Sequence, residues 1–370
     1  MISFAFSGVL SAQTLLHRYS FASDASDSVG TANGHIVAPN GGSPATISNG
    51  LNLPGSGGPF GASGYVSLPN GILTNTASLT LECWFTQNSG NTWATPWDFG
   101  NNGNQNFALI PYPGNNGNNM EVAFTPNGNE RDLQTATAFP NGIEEYVTVT
   151  FNSATLVADI YTNATLDAAV TLPNSTYTPG LIGGSLGTTE NMLGNDVYGD
   201  PQFNGTIYEF RIWNGVVSQR YLAASAIAGP GVLITNLHPT GMQLTAGSGV
   251  VLTGTEQAVA TVELSQTGTN QFLATSDATN WVSSNPGVLT VNGNGFISGV
   301  GLGTATVSAT INGVTATSGN IIVTPQILQH RYSFVSDATD SVGGANGTLV
   351  PPTTGNPATI SNGLVLPGNT

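Results

Sequence analysis

Several loop segments of this chain carry aromatic rings beside carboxylate and amide side chains, a combination suited to binding a sugar. An aromatic ring gives the face of a sugar an apolar platform, while carboxylate and amide groups hydrogen-bond its hydroxyls. The candidate ligand-binding residues are Trp93, Trp97, Asp98, Asn101, Asn102, Tyr112, Tyr198 and Asp200. Trp93 and Tyr112 are the preferred surface candidates, whereas Trp97 has core packing as its alternative.

A second group of polar residues could ligate calcium. This ion prefers oxygen atoms from carboxylates, amides and backbone carbonyls, and flexible loops suit it. The candidate ligands are Asp24, Asp27 and Asn33, and the same residue types recur as Asp337, Asp340 and Asn346. The alternative is that these Asp-Ser and Asn-Gly pairs form turns, with each side chain bonded to nearby backbone.

Patterns typical of hydrolytic catalysis are missing from the sequence. Retaining glycosidases need two carboxyl groups ~5–5.5 Å apart, and the adjacent Glu144 and Glu145 would point to opposite faces of a strand. There is no G-x-S-x-G motif. Cys83 lies among apolar residues of a strand pattern, where a buried, unreactive thiol is expected. We therefore expect no enzymatic activity and no facing pair of carboxylates.

The charge balance excludes several classes of partner. The chain has 370 residues, with no lysine, five arginines and 20 acidic residues, giving a formal net charge of −15. Nucleic-acid binding needs clustered cations, and so does docking on anionic lipid. With a single cysteine no internal disulfide can form. The composition indicates an acidic, extracellular, β-rich protein whose oligomeric state is not encoded in any recognisable pattern.

The first residues resemble part of a secretory signal. Residues 1–13 form a short apolar run that ends in small residues, with Ala12 as the candidate cleavage position. A positively charged start is missing, so either the signal continues upstream or this is an ordinary apolar leader. The run is shorter than the ~20 residues of a membrane-spanning helix, and membrane insertion is not expected.

A long repeat organises the chain. Residues 17–55 (HRYSFASDASDSVG…) and 330–368 (HRYSFVSDATDSVG…) align without a gap, and 29 of 39 positions are identical. The chain thus begins one domain, completes it, and later begins the same domain again. The second copy is either the start of a further domain or an exchangeable segment, and we expect it to be poorly packed without its partner strands.

The patterning between the two copies predicts strands. Segments 78–85, 145–151, 155–161 and 206–213 are rich in β-branched and aromatic residues. Turn clusters at 99–106 and 111–119 separate them. Only residues 218–228 predict a helix. The fold class is therefore all-β, with antiparallel β-sandwiches.

The first domain resembles the LamG-like jelly-roll family of concanavalin A-like domains. The resemblance rests on the HRYSF…DSVG opening, GYVSLPNGI (64–72), LTLECWF (79–85), WDFGNN (97–102) and above all NMLGNDVYGDPQFNGTIYEFRIWNGVVS (191–218). It implies a two-sheet sandwich at residues 15–228, in which the first and last strands pair. Arg18 should then lie near Glu209 as an ion pair across those strands.

A second segment resembles bacterial immunoglobulin-like domains of group 2. The match is WVSSNPGVLTVNGNGFISGVGLGTATVSAT (281–310), with its turn at 285–287. The implied organisation is a truncated signal peptide at 1–14, the jelly roll at 15–228, the immunoglobulin-like domain at 229–325 and the start of a second jelly roll at 326–370.

Together these observations predict a secreted or cell-surface bacterial binding module for a glycan or surface polysaccharide, used in carbohydrate binding or cell adhesion. Two alternatives stay open. The modules could be spacers in a large surface protein, or accessories of a hydrolase whose catalytic domain lies elsewhere.

Overall fold

The computed structural model describes residues 13–56, 62–114, 116–184 and 187–367. The predicted signal segment lies outside these residues except for Gln13. The described chain is nearly all-β, which confirms the predicted fold class. It divides into two compact units: the first runs to residue 241 and includes 262–273, and the second holds 242–261 and the residues from 274 onward. The predicted division into four segments stays a prediction.

The first unit is a sandwich of two antiparallel sheets. In spatial order, the first sheet consists of β13 (Thr165–Thr171), β12 (Val157–Thr162), β11 (Glu144–Asn152), β6 (Leu79–Gln87), β15 (Gln202–Asn214), β4 (Leu51–Ser56) and β3 (Thr46–Ile47). Strand β1 (Thr14–Tyr19) pairs with the C-terminal half of β15, beyond the part that pairs with β4. The predicted pairing of the first and last strands is therefore confirmed.

The second sheet positions the candidate site. Its strands in spatial order are β10 (Arg131–Ala138), β9 (Asn119–Thr125), β8 (Gln105–Ile110), β7 (Trp97–Asn102), β14 (Glu190–Leu193), β5 (Tyr65–Leu68) and β2 (His35–Val37). The unit also contains two helices, α1 (Pro179–Ile182) and α2 (Gln219–Ala228), and single 3-10 turns at Asn116–Asn118 and Ser175–Tyr177. Helix α2 confirms the predicted helix, and Ser218 caps its first turn.

The core lies between the two sheets because strand side chains alternate between faces. Phe99, Phe107 and Phe124 point inward from β7, β8 and β9 and are fully buried. Their ring centroids are 6.5 Å apart between the first two and 4.9 Å between the last two. Cys83 is also buried, and burial raises the pKa of its thiol well above the usual value, as the sequence led us to expect. The same alternation leaves every second residue of these strands on the outer face.

A buried charge network fixes the outer face of the first sheet. Arg18 donates from Nε to Oε1 of Glu209 at 2.7 Å and from a terminal nitrogen to Oε2 at 3.2 Å, which confirms the predicted ion pair. Glu209 also accepts from Nε of Arg211 at 2.5 Å. The guanidinium of Arg211 lies 3.7 Å from Glu82, which in turn accepts from Nε1 of Trp213 at 2.5 Å. Helix α2 supplies Tyr221, so the network joins the sheet to this helix.

The second unit contains three small sheets. They consist of β17 (Gly249–Val251), β27 (Ile321–Thr324) and β24 (Gly303–Ala305); β18 (Thr255–Gln257), β23 (Phe296–Gly299) and β22 (Leu289–Val291); and β21 (Thr279–Ser283), β25 (Val307–Ile311) and β26 (Val314–Thr317). Strands β17 and β27 are parallel. A 3-10 turn covers Thr275–Asp277, and the predicted turn at 285–287 is present, with Asn285 Oδ1 accepting from the backbone N–H of Gly287. Trp281 is only half-buried. The immunoglobulin-like assignment stays a prediction.

The described chain also contains three short strands that form a further sheet, and a hairpin in the second copy of the repeat. They are β16 (Gly241–Thr245), β19 (Val259–Glu263) and β20 (Phe272–Leu273), followed by β28 (Thr359–Ile360) and β29 (Leu364–Val365) in the repeat. The repeat preserves a local turn, since Asp340 accepts from His330 and Arg331 as Asp27 does from His17 and Arg18. Its apolar residues are largely exposed, as expected for a segment without partner strands.

Candidate functional site

A cavity of about 210 Å³ opens on the outer face of the second sheet. Asp98 on β7 is paired in register with Ala108 on β8, which is paired with Ala123 on β9. The two small alanine side chains form the floor, and larger side chains surround it. The lining residues are Trp93, Thr95, Asp98, Asn106, Ala108, Ile110, Ala123, Glu130, Asp196, Tyr198 and Asp200.

A turn closed by a carboxylate carries one wall of the cavity. The loop leaves β14 at Gly194, whose φ of +90° disfavours any side chain. Oδ1 of Asp196 then accepts from the backbone N–H groups of Tyr198 at 2.6 Å, Gly199 at 2.7 Å and Asp200 at 3.2 Å. The backbone N–H of Val197 donates to Oδ2 of Asp98 at 3.1 Å and so ties the loop to β7. These bonds hold both ends of the wall in one conformation.

Asp98 and Asp196 bring two buried carboxyl groups into this cavity. They are 0% and 1% exposed, and within the described chain Oδ1 of Asp98 and Oδ2 of Asp196 have no hydrogen-bond partner. Burial raises the pKa of Asp98 well above its usual value, and the charges of Asp196 and Glu190 add to this rise. Burial likewise raises the pKa of Asp196, against the hydrogen bonds of its turn. Both oxygens can accept a hydrogen bond from a ligand.

The sequence analysis did not foresee that two buried carboxyl groups line one cavity. Asp98 lies on β7 and Asp196 on the loop after β14, and these two strands are neighbours in the sheet. No local spacing in the sequence indicates this neighbourhood because the two residues are far apart along the chain. Asp200, in the same loop, also has a raised pKa, caused first by burial and then by the charge of Asp196.

Two aromatic rings line the cavity and remain accessible. Trp93 is 37% exposed and Tyr198 49% exposed. The hydroxyl of Tyr198 donates to Oδ1 of Asn106 at 3.3 Å, and its ring packs against Gly103, where an added Cβ would lie 2.6 Å from the ring. Burial, followed by the charges of Glu130 and Asp98, raises the pKa of Tyr198 to about 12, so its hydroxyl stays a donor. The backbone N–H of Trp93 donates to the carbonyl of Tyr112 at 3.0 Å.

Four of the eight candidate ligand-binding residues line the cavity, namely Trp93, Asp98, Tyr198 and Asp200. The other four lie elsewhere. Trp97 is buried in the core, 4.9 Å from the ring of Phe107. Asn101 Oδ1 accepts from the backbone N–H of Thr189, and Asn102 Oδ1 accepts from that of Asn104, so both stabilise turns. Tyr112 packs against Gly90.

Four polar lining residues were missed by the sequence analysis. They are Thr95, Asn106, Glu130 and Asp196. Asn106 could have been found, because it falls on the same face of β8 as Ala108 and Ile110 once strand alternation is applied. No local pattern distinguishes the other three from ordinary loop residues.

The candidate calcium ligands form a tightly hydrogen-bonded turn. Oδ1 of Asp27 accepts from the backbone N–H groups of Arg18, Val29 and Gly30, and Oδ2 accepts from Ala32 and contacts His17 Nδ1 at 2.7 Å. Burial opposes ionisation of Asp27, but its hydrogen bonds hold the pKa below the usual value. Asn33 Oδ1 accepts from the backbone N–H of Asp27, and Asp24 Oδ1 from that of Ser26.

Since Asp27 already accepts these donors, its geometry is that of a turn. Across the described residues, no group of three or more histidine, cysteine, aspartate or glutamate side chains is arranged to hold a metal ion. Calcium binding at Asp24, Asp27 and Asn33 stays a prediction. Thermal unfolding with calcium and with a chelator tests it, and an unchanged midpoint would contradict it.

Comparison with known proteins gives one family match, within the first sandwich. Residues 60–223 match the family model described as the concanavalin A-like lectin/glucanases superfamily, which supports the jelly-roll assignment. The search of curated proteins returns no match. Within the described residues, no helix is long and apolar enough to span a membrane.

Several solved structures are remotely similar to this chain. Domain 4 of AbnA, an extracellular arabinanase from Geobacillus stearothermophilus solved with arabinotriose, is 19% identical over 57% of this chain and 97% of its own, with a TM-score of 0.47. The CBM40 of the Ruminococcus gnavus IT-sialidase is 16% identical over 48% and 96%, with a TM-score of 0.38. NanB sialidase from Streptococcus pneumoniae is 11% identical over 64% and 42%, with a TM-score of 0.35.

Proposed function

We propose that the concanavalin A-like sandwich of this chain is a carbohydrate-binding module of a secreted or cell-surface bacterial protein. Its ligand site is the cavity on the outer face of the second sheet. The observation that carries the proposal is the joint presence of accessible Trp93 and Tyr198 rings and of buried carboxyl oxygens without partners. An aromatic ring packs against a sugar face, and unpartnered acceptors bind its hydroxyls.

The size of the cavity supports recognition of one sugar ring. Its volume of about 210 Å³ lies below the ~300–1,000 Å³ typical of sites that enclose a drug-sized ligand. Since the rim is open and Glu130 is exposed, a longer glycan can continue into solvent. The module therefore binds a terminal or protruding residue of a polysaccharide, which suits adhesion or attachment to a glycan surface.

Glycoside hydrolysis is the second candidate function. The matched superfamily includes glucanases as well as lectins by its description, and Asp98 and Asp196 line one cavity. A glycosidase needs one carboxyl group with a raised pKa as its acid and a second one as base or nucleophile. Both pKa values are raised here, however, and no second, readily ionised partner is provided by this pair.

The test is a glycan array probed with the full chain, followed by calorimetric titration of each positive ligand. We expect Trp93→Ala and Tyr198→Ala to weaken binding about tenfold or more, since stacking on an aromatic ring contributes on the order of 1–2 kcal/mol. Phe296→Ala is the matched control, because Phe296 is an exposed aromatic residue outside the cavity.

The outcomes separate the candidate functions. If no glycan on the array binds, or if binding survives both cavity substitutions, the proposal is contradicted and the spacer alternative is favoured. Release of reducing ends from a bound oligosaccharide, lost in Asp98→Asn, would identify a hydrolase. The wider organisation, with an immunoglobulin-like spacer and a second jelly roll, is also proposed, and limited proteolysis at residues 229–241 and 325–330 tests its boundaries.

A further inference from the structure

The acidic side chains that line the cavity have no basic counterpart among its lining residues in the described chain. They are Asp98, Glu130, Asp196 and Asp200, and none of the described lining residues is an arginine or a histidine. Arg131 follows Glu130 in sequence, but it is exposed and does not line the cavity. The chain contains no lysine that could balance these groups from outside. The cavity is therefore a concentrated acidic site within an already acidic protein.

The buried members of this set lack donors. Oδ2 of Asp98 and Oδ1 of Asp196 accept from backbone N–H groups, while Oδ1 of Asp98 and Oδ2 of Asp196 accept from nothing in the described chain. Buried polar atoms in folded proteins are almost always paired. These two acceptors are therefore left for a donor from outside the chain, which a ligand in the cavity can supply.

The aromatic residues restrict the chemistry of that ligand further. The faces of Trp and Tyr rings attract cations through their quadrupoles, and Trp93 and Tyr198 both line the cavity. An ammonium group provides three donors and a positive charge, and accepts nothing. Such a group can donate to more than one carboxyl group and lie against a ring face, whereas a single sugar hydroxyl provides one donor and no charge.

We propose that the cavity selects a sugar residue carrying a free, protonated amino group, a hexosamine without its N-acetyl group, over neutral and anionic sugars. This inference rests on the proposed carbohydrate-binding function and names its ligand class. An anionic sugar would place its carboxylate among four others and is rejected by repulsion. An N-acetyl group removes the charge and leaves a single N–H donor.

The first experiment compares four ligands of matched length by calorimetric titration of the full chain, at a pH where the amine is protonated. The ligands are an oligomer of glucosamine, its N-acetylated form, the corresponding neutral gluco-oligosaccharide and sialyllactose. We expect the glucosamine oligomer to bind at least tenfold more tightly than the neutral sugar, and sialyllactose not to bind. The affinity for the glucosamine oligomer should fall as the salt concentration rises from 0.15 to 1 M, because the Debye length shrinks from about 8 to about 3 Å.

The second experiment replaces one carboxyl group at a time with an amide of the same size. Asp98→Asn and Asp196→Asn should each reduce the preference for the amine over the neutral sugar by about tenfold or more, because an amide cannot form an ion pair with the ammonium group. The amide oxygen still accepts the loop hydrogen bonds, so the loop is expected to keep its conformation. Asp159→Asn is the control, since Asp159 lies on β12 of the other sheet. Thermal unfolding of each variant shows whether it is folded, and the ligand preference of the unmodified chain tests the proposal independently.

The results distinguish this inference from the function on which it rests. Equal or tighter binding of the neutral sugar, lost in Trp93→Ala, overturns the amine selectivity and leaves carbohydrate binding intact. Binding of N-acetyl-lysine amide as tightly as the amino sugar also overturns it, because the sugar ring would then contribute nothing. Calcium chloride that binds alone and abolishes amine selectivity would identify a metal site instead. No binding of any sugar contradicts both proposals.

Discussion

At the scale of single residues, the position of Tyr198 depends on a glycine that is far away in the sequence. The ring of Tyr198 packs on Gly103, at the turn between β7 and β8, where an added Cβ would come within 2.6 Å of the ring. The φ angle of Gly103 is not positive, so the backbone conformation is also open to alanine. An alanine side chain would then only displace the ring. The cavity rim thus requires the absence of a side chain at this position.

We predict that Gly103→Ala weakens ligand binding with little effect on stability. The displaced ring loses its hydrogen bond to Asn106 and its place beside the ligand, and an affinity loss of about five- to tenfold is expected from a contact worth on the order of 1 kcal/mol. Calorimetric titration and thermal unfolding measure the two effects. Gly293→Ala serves as control because an added Cβ there meets no atom within 4 Å. Unchanged affinity would contradict the role of Tyr198.

The buried carboxyl group of Asp98 should make the stability of the fold depend on pH. Burial, with the charges of Asp196 and Glu190, raises its pKa above the value of 3.8 in the unfolded chain. The folded state therefore binds more protons than the unfolded state between the two pKa values, and stability falls as the pH rises through this interval, by up to about 1.4 kcal/mol per pH unit. Below the pKa of the unfolded chain, both states are protonated and the number of bound protons no longer differs. The hydrogen bond from the backbone N–H of Val197 acts in the opposite direction without reversing the rise.

Replacement of Asp98 by asparagine should remove this dependence. Without ligand, Asp98→Asn is expected to be more stable than the original chain at pH 7, with the difference shrinking toward pH 4. Denaturant unfolding at a series of pH values measures it, and Asp159→Asn gives the comparison for a half-buried carboxyl group whose pKa burial also raises. A variant less stable at pH 7 by the same amount as at pH 4 would show that the carboxyl group is ionised and satisfied in the fold.

At the scale of elements, strands were predicted well wherever side chains alternate in a long run. Segments 78–85, 145–151, 155–161 and 206–213 lie within or largely overlap strands β6, β11, β12 and β15. The predicted turn cluster at 99–106 was too long. Strands β7 and β8 occupy all of it except Gly103 and Asn104, because pairing with β14 and β9 outweighs the low strand propensity of asparagine and glycine. The loop that carries Asp196 could not be placed near Asp98, since sheet order follows from tertiary pairing.

The charge network on the first sheet predicts unequal costs for two arginines. Arg211 is fully buried between Glu82 and Glu209, whereas the side chain of Arg18 is 18% exposed. Arg211→Met should destabilise the fold by about 3–5 kcal/mol, because it leaves the buried carboxylate of Glu82 without a cation and Glu209 with Arg18 alone. Arg18→Met should cost clearly less, since Glu209 keeps Arg211 and water can reach the site. Urea unfolding measures both, and equal costs would contradict the network as described.

At the scale of the whole molecule, the two copies of the repeat have the same sequence pattern but different surroundings. In the first copy, Tyr19 is fully buried and packs against Phe21 and Phe210 at ring distances of 6.3 and 6.4 Å. Its counterpart Tyr332 is 38% exposed, although it stacks on Phe334 as Tyr19 does on Phe21. The repeat therefore specifies the local turn by itself, while burial requires the strands supplied by the rest of a sandwich, β15 above all.

This difference predicts the effect of the same substitution in each copy. Tyr19→Ala should destabilise the first unit by about 3–5 kcal/mol, the cost of removing a large aromatic side chain from a packed core. Tyr332→Ala should change stability by less than about 0.5 kcal/mol, as for surface substitutions. Denaturant unfolding of the full chain measures both, with near-ultraviolet circular dichroism as a second probe of aromatic packing. A comparable cost in the two variants would mean that the second copy is buried in solution, against a partner that presents the same core-facing strands.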